Sequence, residues 1–371
     1  MDARARIFSH LDPYDLAGTE AAFVAAMREN AIFQQRHCAD YARMLREQRF
    51  DPASIRTMDD LAQLPVIPTL YFKHHKLFSM DERRLLIKAT SSGTGGVKSH
   101  IGFDNLGMLH SGYMAVNMAV HHGLISPKPC NYLVFGYQLS RHNQMAISIT
   151  AFGATLFAPA LHRTYALRWK NSRYELDLDG MKKALLHYAK LPFPVRFMGF
   201  PAYTYFFLSA LKDEGIRLRL PEGSMVMFGG GWKQFYTQKV DKYTVYRLIE
   251  EVLGIPERNV VEFFGAVEHP ILYTDCKRHH FHVPIYSRVI IRDVDTLEPV
   301  PYGVPGLLNL LTPLAKSMPI LSIMTDDIGI LHPPGSCGCG IDTPWLEILG
   351  RVGIKDIVTC AAGAEEYLGG R

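Results

Sequence analysis

A patch of serine, threonine and glycine at 90–96 interrupts the chain directly after a β-prone run. These residue types allow positive φ angles and close backbone approach, so several N–H and O–H donors can converge on one point. The patch lacks the Gly-Lys-Ser/Thr ending of a Walker loop and the glycine spacing of a dinucleotide-binding fingerprint. It therefore predicts an anion-binding loop, and a polar hairpin turn without a ligand is the alternative.

Four other residues have the types expected of a closed metal site. Cys276 lies six positions before His282, and a later Cys-x-Cys pair supplies Cys337 and Cys339. Three thiolates and one imidazole form a tetrahedral set for Zn²⁺, in sites that usually join loops rather than catalyse. Four unrelated loop residues are the alternative interpretation. Two neighbouring histidines are rival ligands: His279 and His280.

The elements expected to position these residues are those of an α/β protein. Apolar residues first recur at three- and four-residue spacing, which predicts a helical lead-in. Short apolar runs then alternate with amphipathic stretches, which predicts buried strands covered by helices. The runs read as strands are NYLVFGY, ATLFAP, VRFMGFP and SMVMFGGG. We expect a helical lead-in (1–84), an α/β core (85–258), a β-rich subdomain (259–351) and a short tail (352–371).

Composition limits the classes of function. The chain has 371 residues, of which 48% are hydrophobic and 20% charged, as in globular proteins. Its formal charge of +4 is small and its Lys and Arg are scattered, which argues against a nucleic-acid partner. No apolar run approaches the ~20 residues needed to span a bilayer. With six cysteines and no disulfide framework, we expect a cytoplasmic protein.

Five short segments occur in the order found in the adenylate-forming superfamily, the acyl-CoA synthetases and their relatives. TSSGTGG resembles the phosphate-binding loop of that superfamily, and MFGGGWK resembles its adenine segment. EFFGAVEHP resembles the aromatic-Gly-x-x-Glu motif, SIMTDDIGIL the ribose-binding motif, and ILGRVG the Gly-Arg that follows. The LPVIPTLYFKHHKLFS lead-in and the GGWK form are similar to the acyl-protein synthetase component of bacterial luminescence fatty-acid reductases, a branch related to the phenylacetate-CoA ligases.

The resemblance implies an adenylate-forming N-terminal domain that activates a carboxylic acid with ATP. It assigns the phosphates to one loop: Ser91, Ser92, Gly93, Thr94, Gly95 and Gly96. It assigns the adenine and ribose to a second group: Gly229, Gly230, Gly231, Phe264, Gly265, Asp327 and Arg351. Glu268 would hold Mg²⁺, and the phenylacetate-CoA ligase branch shows the same Cys and His arrangement as the predicted zinc site. The residues expected to act in catalysis are Glu268, Thr94, Lys98 and Cys360.

The sequence departs from the superfamily pattern in three places. Lys98 is offset by one position from the usual lysine, and Val267 replaces a Ser or Thr. Only residues 352–371 follow Arg351, where relatives carry a C-terminal lid, so we expect the lid to be truncated or absent. These departures support an alternative function, in which a lid-less acyltransferase or thioester-handling protein keeps the fold but does not adenylate efficiently.

The resemblance implies that the acyl group passes to a thiol. Cys360 occupies a place comparable to the acyl-accepting cysteine of the luminescence synthetases. Free coenzyme A and the phosphopantetheine of a carrier protein are the other acceptors, so a reductase or a carrier protein is the expected partner. Aromatic residues near the motifs suit either a fatty or an aromatic acid: Tyr137, Phe200, Tyr203, Phe228 and Phe263.

Overall fold

The computed structural model of the chain describes residues 2–90, 99–140, 146–170, 173–232, 235 and 238–351. The chain divides into two compact units. Among the described residues, unit 1 comprises 2–90, 99–122 and 265–351, and unit 2 comprises those between 123 and 264. The four-part division drawn from the sequence stays a prediction.

Helices and strands are numbered in chain order. Helices α1–α9 of the described residues span Ala3–Phe8, Leu16–His37, Ala39–Glu47, Tyr71–His74, Asn105–His121, Ala146–Ala154, Leu178–Tyr188, Pro201–Asp213 and Lys242–Leu253. Strands β1–β15 span Ile67–Pro68, Ile87–Thr90, His100–Phe103, Cys130–Tyr137, Ala160–Lys170, Arg173–Leu176, Val195–Gly199, Met225–Gly229, Val260–Phe264, Tyr273–Thr274, Phe281–His282, Arg288–Arg292, Pro305–Leu311, Ser322–His332 and Trp345–Arg351. Within the described ranges, none of the helices is long and apolar enough to cross a membrane.

Unit 1 is built on a sheet with the strand order β11-β15-β14-β13-β12, in which these neighbours are antiparallel. On β14 and β15, Asp327 lies directly opposite Arg351. A Cβ at Gly329 would lie 2.6 Å from the carbonyl oxygen of Glu347, so only glycine allows the two strands to approach this closely. The pairing of β14 with β15 therefore places Asp327 and Arg351 opposite each other in the sheet.

Buried amides tie the helical lead-in to the sheet of unit 1. On α2, the Asn30 side chain donates to the Ala315 carbonyl at 2.8 Å, and the Gln34 side chain donates to the Met318 carbonyl at 3.1 Å. Both amides are fully buried, where an unpaired polar group would be costly. The turn between β13 and β14 is thus held by α2.

Unit 2 contains a sheet with the strand order β9-β8-β7-β4-β5-β6. The pairs from β9 to β5 are parallel and only β5–β6 is antiparallel. The chain runs from β4 to β5 on one side and later returns to β7 on the other, which creates a topological switch point between β4 and β7. Three of the runs predicted as strands form β4, β7 and β8, as expected.

The fourth run, ATLFAP, was predicted as a strand, and this prediction is wrong. Ala154 ends α6, and the chain turns before β5 begins at Ala160. The Thr155 hydroxyl donates to the Phe152 carbonyl at 2.6 Å and accepts a hydrogen bond from Nε of Arg163 at 2.8 Å. These local hydrogen bonds favour a turn over a sheet ladder.

Candidate functional site

Four buried side chains of unit 1 converge into a group that could hold a metal ion. The ligand atoms of Cys276, His282, Cys337 and Cys339 all lie within 4.8 Å of one another. The sulfurs of Cys276 and Cys337 are 3.7 Å apart, and the Cys339 sulfur lies 3.2 Å from Nε2 of His282. The structure thus brings together the four residues singled out in the sequence, in the donor set of a closed tetrahedral site.

Hydrogen-bond donors and acceptors around this Cys₃His cluster orient its members. Nδ1 of His282 lies 3.1 Å from the Thr343 carbonyl oxygen, which fixes the ring so that Nε2 faces the sulfurs. Backbone N–H groups donate to two of the sulfurs at 3.4 Å each: Arg278 to Cys276 and Ile341 to Cys339. Donation to sulfur favours the thiolate, the form in which cysteine binds a metal.

The two rival histidines lie beside the cluster in other roles. Nδ1 of His279 is 2.6 Å from the carboxylate of Asp275. Nδ1 of His280 is 3.1 Å from the sulfur of Cys337, and its ring stacks on Trp345 with centroids 3.9 Å apart. A ring nitrogen at this distance from a sulfur can donate a hydrogen bond to it and so supports the cluster from outside.

The burial of the cluster changes the acidity of its cysteines. Burial raises the pKa of Cys337 to about 12 and also raises that of Cys276. Without a cation these thiols would therefore stay protonated at neutral pH. A divalent cation reverses this preference because it stabilises the thiolates. Sulfur and imidazole donors suit a soft or borderline cation such as Zn²⁺.

Glu268 is a second buried group of unit 1 with a perturbed acidity. Burial is the largest influence on its carboxyl group and raises its pKa. The neighbouring Ser99 side chain and the positive charges of Lys73 and Arg351 act in the opposite direction. The carboxyl group is therefore held in a poorly solvated place that favours a cation beside it.

The residues around Glu268 fix the turn that carries it. A Cβ at Gly265 would lie 3.0 Å from the Ile271 carbonyl oxygen, so a larger residue would crowd the turn. His269 is fully buried, and its Nε2 lies 3.0 Å from the hydroxyl of Ser287. Burial lowers the pKa of His269 to about 3, so its ring packs as a neutral group.

Asp327 and Arg351 meet across the β14–β15 ladder of unit 1. Nε of Arg351 lies 3.7 Å from Oδ1 of Asp327, and its Nη2 lies 3.8 Å from Oδ2 of Asp326. These separations, between partly exposed side chains, indicate a loose pair. Because the charge of Arg351 also acts on Glu268, the positions matched to the Mg²⁺, ribose and Gly-Arg motifs share one neighbourhood of unit 1.

The predicted adenine segment lies in unit 2, at the carboxyl end of β8. Gly229 ends the strand, and Gly230 and Gly231 have φ angles of 81° and 67°, in the left-handed region that favours glycine. Phe263 and Phe264 end β9, the neighbouring parallel strand. Ligands of open α/β sheets bind at the carboxyl edge of the strands, which is where this segment lies.

The remaining aromatic residues near the motifs divide into two groups. Tyr137 ends β4 and Phe200 follows β7, so both lie at the same carboxyl edge of the sheet of unit 2. Tyr203 of α8 packs edge-to-face on Phe200 with centroids 5.6 Å apart. Phe228 is only 2% exposed and belongs to the hydrophobic core, so it is a weaker candidate for substrate contact.

Several predicted residues lie outside the described part of the chain: Ser91, Ser92, Gly93, Thr94, Gly95, Gly96, Lys98 and Cys360. Three residues near the predicted site were missed by sequence reasoning: Lys73, Ser99 and Asp326. Two of them could have been found from the sequence, because Ser99 follows the phosphate-loop pattern and Asp326 lies beside Asp327. Lys73 lies within the LPVIPTLYFKHHKLFS lead-in, which carried the family resemblance but gave no signal for a site residue.

Comparison with known families decides where this chain belongs. A family model described as acyl-protein synthetase, LuxE, matches residues 7–368. The chain belongs to the LuxE acyl-protein synthetase family. Among LuxE-type relatives, a long-chain-fatty-acid–luciferin-component ligase of Aliivibrio fischeri is 26% identical over 293 residues, which are 75% of this chain and 71% of the relative. Its namesake of Vibrio harveyi is 24% identical over 320 residues, which are 82% and 78% of the two chains.

Solved structures show the same fold for this LuxE family member. An open conformation of 2-hydroxyisobutyryl-CoA ligase, in complex with 2-HIB-AMP and CoA, matches with a TM-score of 0.68 at 16% identity. The match covers 92% of this chain and 77% of the ligase. The α/β fold of adenylate-forming ligases, expected from the motifs, is therefore confirmed over most of the chain. The expected truncation of the lid depends on residues 352–371, which lie outside the described range, and stays a prediction.

Proposed function

We propose that the chain uses ATP to convert a carboxylic acid into an acyl-adenylate and then transfers the acyl group to a thiol. One observation carries this proposal. The buried Glu268 carboxyl group lies beside Ser99, just beyond the predicted phosphate loop, and feels the charge of Arg351, which faces Asp327. Membership in the acyl-protein synthetase family supports acyl activation in general terms.

The first half-reaction joins the acid to AMP. A carboxylate oxygen of the acid attacks the α-phosphorus of ATP, the bond to the β-phosphate oxygen breaks, and pyrophosphate leaves. The backbone donors of 91–96 would hold the phosphates in line, which is the main task of a protein in phosphoryl-type transfer. Glu268 would hold Mg²⁺, whose chemistry here is to neutralise phosphate charge. Asp327 would accept hydrogen bonds from the ribose hydroxyls.

The second half-reaction moves the acyl group to a thiol. A thiolate attacks the carbonyl carbon of the adenylate, the bond from that carbon to the phosphate oxygen breaks, and AMP leaves. The proton of the thiol goes to solvent before the attack. The family description, acyl-protein synthetase, supports a protein thiol as acceptor, and we assign this role to Cys360. Coenzyme A and a carrier-protein phosphopantetheine are the alternatives.

We propose a long-chain fatty acid as the substrate. Both described relatives are ligases of long-chain fatty acids by name. In this chain, Tyr137, Phe200 and Tyr203 offer apolar surface at the carboxyl edge of the unit 2 sheet, which suits an apolar chain. An aromatic acid is the alternative and belongs in the same substrate panel.

The Cys₃His cluster would hold Zn²⁺ in a structural role. Its four ligands fill a tetrahedral shell and leave no open position, as in sites that stabilise a fold. The cluster joins the segment around β11 to the loop between β14 and β15, two parts of unit 1 that are distant in sequence. The ion would therefore act as a crosslink rather than as a catalyst.

ATP–pyrophosphate exchange with a panel of fatty and aromatic acids tests the proposed function. We expect exchange that depends on a long-chain fatty acid and that falls about 100-fold in Glu268→Gln. Exchange should be kept in the control Glu347→Gln, whose exposed carboxylate pairs with His332 at 2.8 Å. Absence of exchange with every acid, together with acyl transfer from a supplied acyl thioester, would instead support the lid-less acyltransferase.

A further inference from the structure

Helix α5 of unit 1 exposes a regular apolar stripe that the proposed reaction does not use. Its members lie at intervals of three and four residues, the spacing of a helix-pairing seam. Five large apolar side chains are 42%, 52%, 50%, 51% and 61% exposed, in this order: Leu106, Leu109, Tyr113, Val116 and Val120. We call this set the α5 stripe. Single exposed apolar residues are common, but an aligned row of five is not.

The opposite face of α5 is fixed to unit 1, so the stripe has a defined orientation. Met114 and Met118 are buried beneath the helix. At its start, the Asp104 side chain accepts a hydrogen bond from the Gly107 backbone N–H at 3.0 Å. Further along, the Asn117 side chain donates to the His10 carbonyl at 2.8 Å. Rotation of the helix to hide the stripe would break these contacts.

The composition of α5 is unusual for a surface helix. From Asn105 to His121 it contains no Asp, Glu, Lys or Arg. Helices that face water normally carry charges on that face, and helices that lie in a membrane interface normally carry Lys or Arg beside the apolar face. A lipid surface is therefore disfavoured. A charged partner is also disfavoured, because α5 offers it no opposite charge.

We propose that the α5 stripe is a dimer interface, in which α5 packs against the α5 of a second copy of this chain. A two-fold dimer brings one surface against its own copy, so an uncharged apolar stripe is its own complement. Tyr113 is the middle residue of the stripe and would lie nearest the two-fold axis. Gly112 flanks it, and nothing lies within 4 Å of the position of a Cβ there, which gives a second helix room to approach.

The size of the stripe suits a dimer of moderate affinity. Its exposed side chains present on the order of 400 Å² of apolar surface, about half of the ~800 Å² that each partner buries in a typical stable interface. The core of an interface is apolar and its rim is polar, so the polar residues beside the stripe would supply the remainder. We expect a dimer that forms at micromolar protein concentrations.

Sedimentation velocity of the full chain, from about 1 to 100 µM, tests this proposal. We expect a concentration-dependent dimer for the wild type. For Val116→Lys, we expect the dissociation constant of the dimer to rise at least about tenfold, because a lysine in the seam must be desolvated. The matched control is Val294→Lys, at a residue that is 53% exposed and lies outside α5. Thermal unfolding of each variant verifies that it is folded.

Crosslinking gives an independent result. With a short bis-maleimide, Tyr113→Cys is expected to give a covalent dimer, whereas Val294→Cys is expected to give no more dimer than the wild type. Three outcomes would overturn the proposal: a wild-type chain that stays monomeric over the whole range, a dimer unaffected by Val116→Lys, or a monomer that binds neutral phosphatidylcholine vesicles through the stripe.

Discussion

Two groups in unit 1 bury side chains that can carry negative charge, and they differ in what surrounds them. Around Glu268, the neighbouring Ser99 side chain and the charges of Lys73 and Arg351 offset part of the effect of burial. In the Cys₃His cluster, burial and the neighbouring sulfurs all act to raise the pKa of Cys337. The Glu268 carboxyl group is thus partly compensated by the protein itself, whereas the Cys337 thiol is not. At Cys276, the backbone N–H groups of Arg278 and His280 lower the pKa, but burial outweighs them.

This difference indicates which group depends more on a bound ion. Ligand atoms within 4.8 Å of one another form a site whose geometry is already closed, and a bound ion would make that geometry stable. Arg351 and Asp327, at 3.7 Å, are close but loosely paired, which suits the ribose-binding role that we propose for Asp327. We therefore expect loss of the cluster to affect folding and loss of the Glu268 group to affect catalysis.

The largest expected effect is on stability. Cys337→Ser should abolish stoichiometric zinc and lower the free energy of unfolding by about 3 kcal/mol or more, because a structural ion contributes directly to folding. Elemental analysis and denaturant unfolding measure the two effects. Cys38→Ser, at a buried cysteine outside the cluster, is the control and should keep the metal. A wild-type chain without zinc would refute the cluster as a metal site.

Glu268→Gln should lower turnover but increase stability. We expect exchange activity to fall about 100-fold, a typical loss for a group that stabilises charge in a transition state. Stability without added Mg²⁺ should instead increase at neutral pH. Burial raises the folded-state pKa of Glu268 above its ordinary 4.5, so the ionised carboxylate opposes folding.

The effect of Glu268→Gln on stability should depend on pH. Protonated Glu268 does not oppose folding, whereas the ionised carboxylate does. The stability of the wild type with respect to this group is therefore fully present below the pKa of Glu268 in the unfolded chain, and it is lost as the pH rises through the higher pKa in the folded chain. The stabilising effect of Glu268→Gln should therefore be absent at about pH 3.5 and grow as the pH rises toward neutrality. A variant that is destabilised at neutral pH would show that the carboxylate is already compensated without Mg²⁺.

Asp327→Asn is expected to weaken ATP binding more than turnover. Loss of charge-assisted hydrogen bonds to the ribose should raise KM for ATP about 10- to 30-fold, with a smaller change in kcat. Asp326→Asn is the matched control because it changes the neighbouring acid that also faces Arg351, at 3.8 Å. Equal effects of the two substitutions would mean that Asp327 acts only through its pairing with the arginine.

The smallest effect is expected at the edge of the cluster. His280→Ala should speed zinc release to a chelator about tenfold, because Nδ1 no longer donates to the Cys337 sulfur. His332→Ala is the control. His332 also stacks on Trp345, with ring centroids 3.7 Å apart, but its hydrogen bond is with Glu347 and not with a cluster sulfur. If both variants release zinc equally fast, the stacking on Trp345 is what matters.

Parts of this molecule with a local sequence signal were predictable. The runs that form β4, β7 and β8 are mostly apolar, with Asn131 and Arg196 as exceptions, as expected for parallel strands buried on both faces. The Cys₃His cluster was predictable because three cysteines and a histidine are conspicuous residue types at short spacings. In contrast, β5 contains His, Arg and Lys and did not resemble a buried strand.

Features that depend on tertiary structure were not predictable. Lys73 and Ser99 act on Glu268 from distant parts of the chain, and no sequence pattern links the three. The α5 stripe has helical spacing, but Met114 and Met118 make the other face equally apolar, so the sequence could not tell which face is buried. Orientation and partner choice thus required the structure.

The central claim is that a carboxylate of the substrate attacks ATP, and oxygen transfer tests it most directly. The acid, labelled with heavy oxygen in its carboxylate, is incubated with the chain, ATP and Mg²⁺, and the AMP is analysed by mass spectrometry. We predict AMP that carries one heavy oxygen, because the attacking oxygen remains on phosphorus when the thiol displaces AMP. Acyl transfer to the thiol accompanied by unlabelled AMP, or by no AMP, would contradict the account.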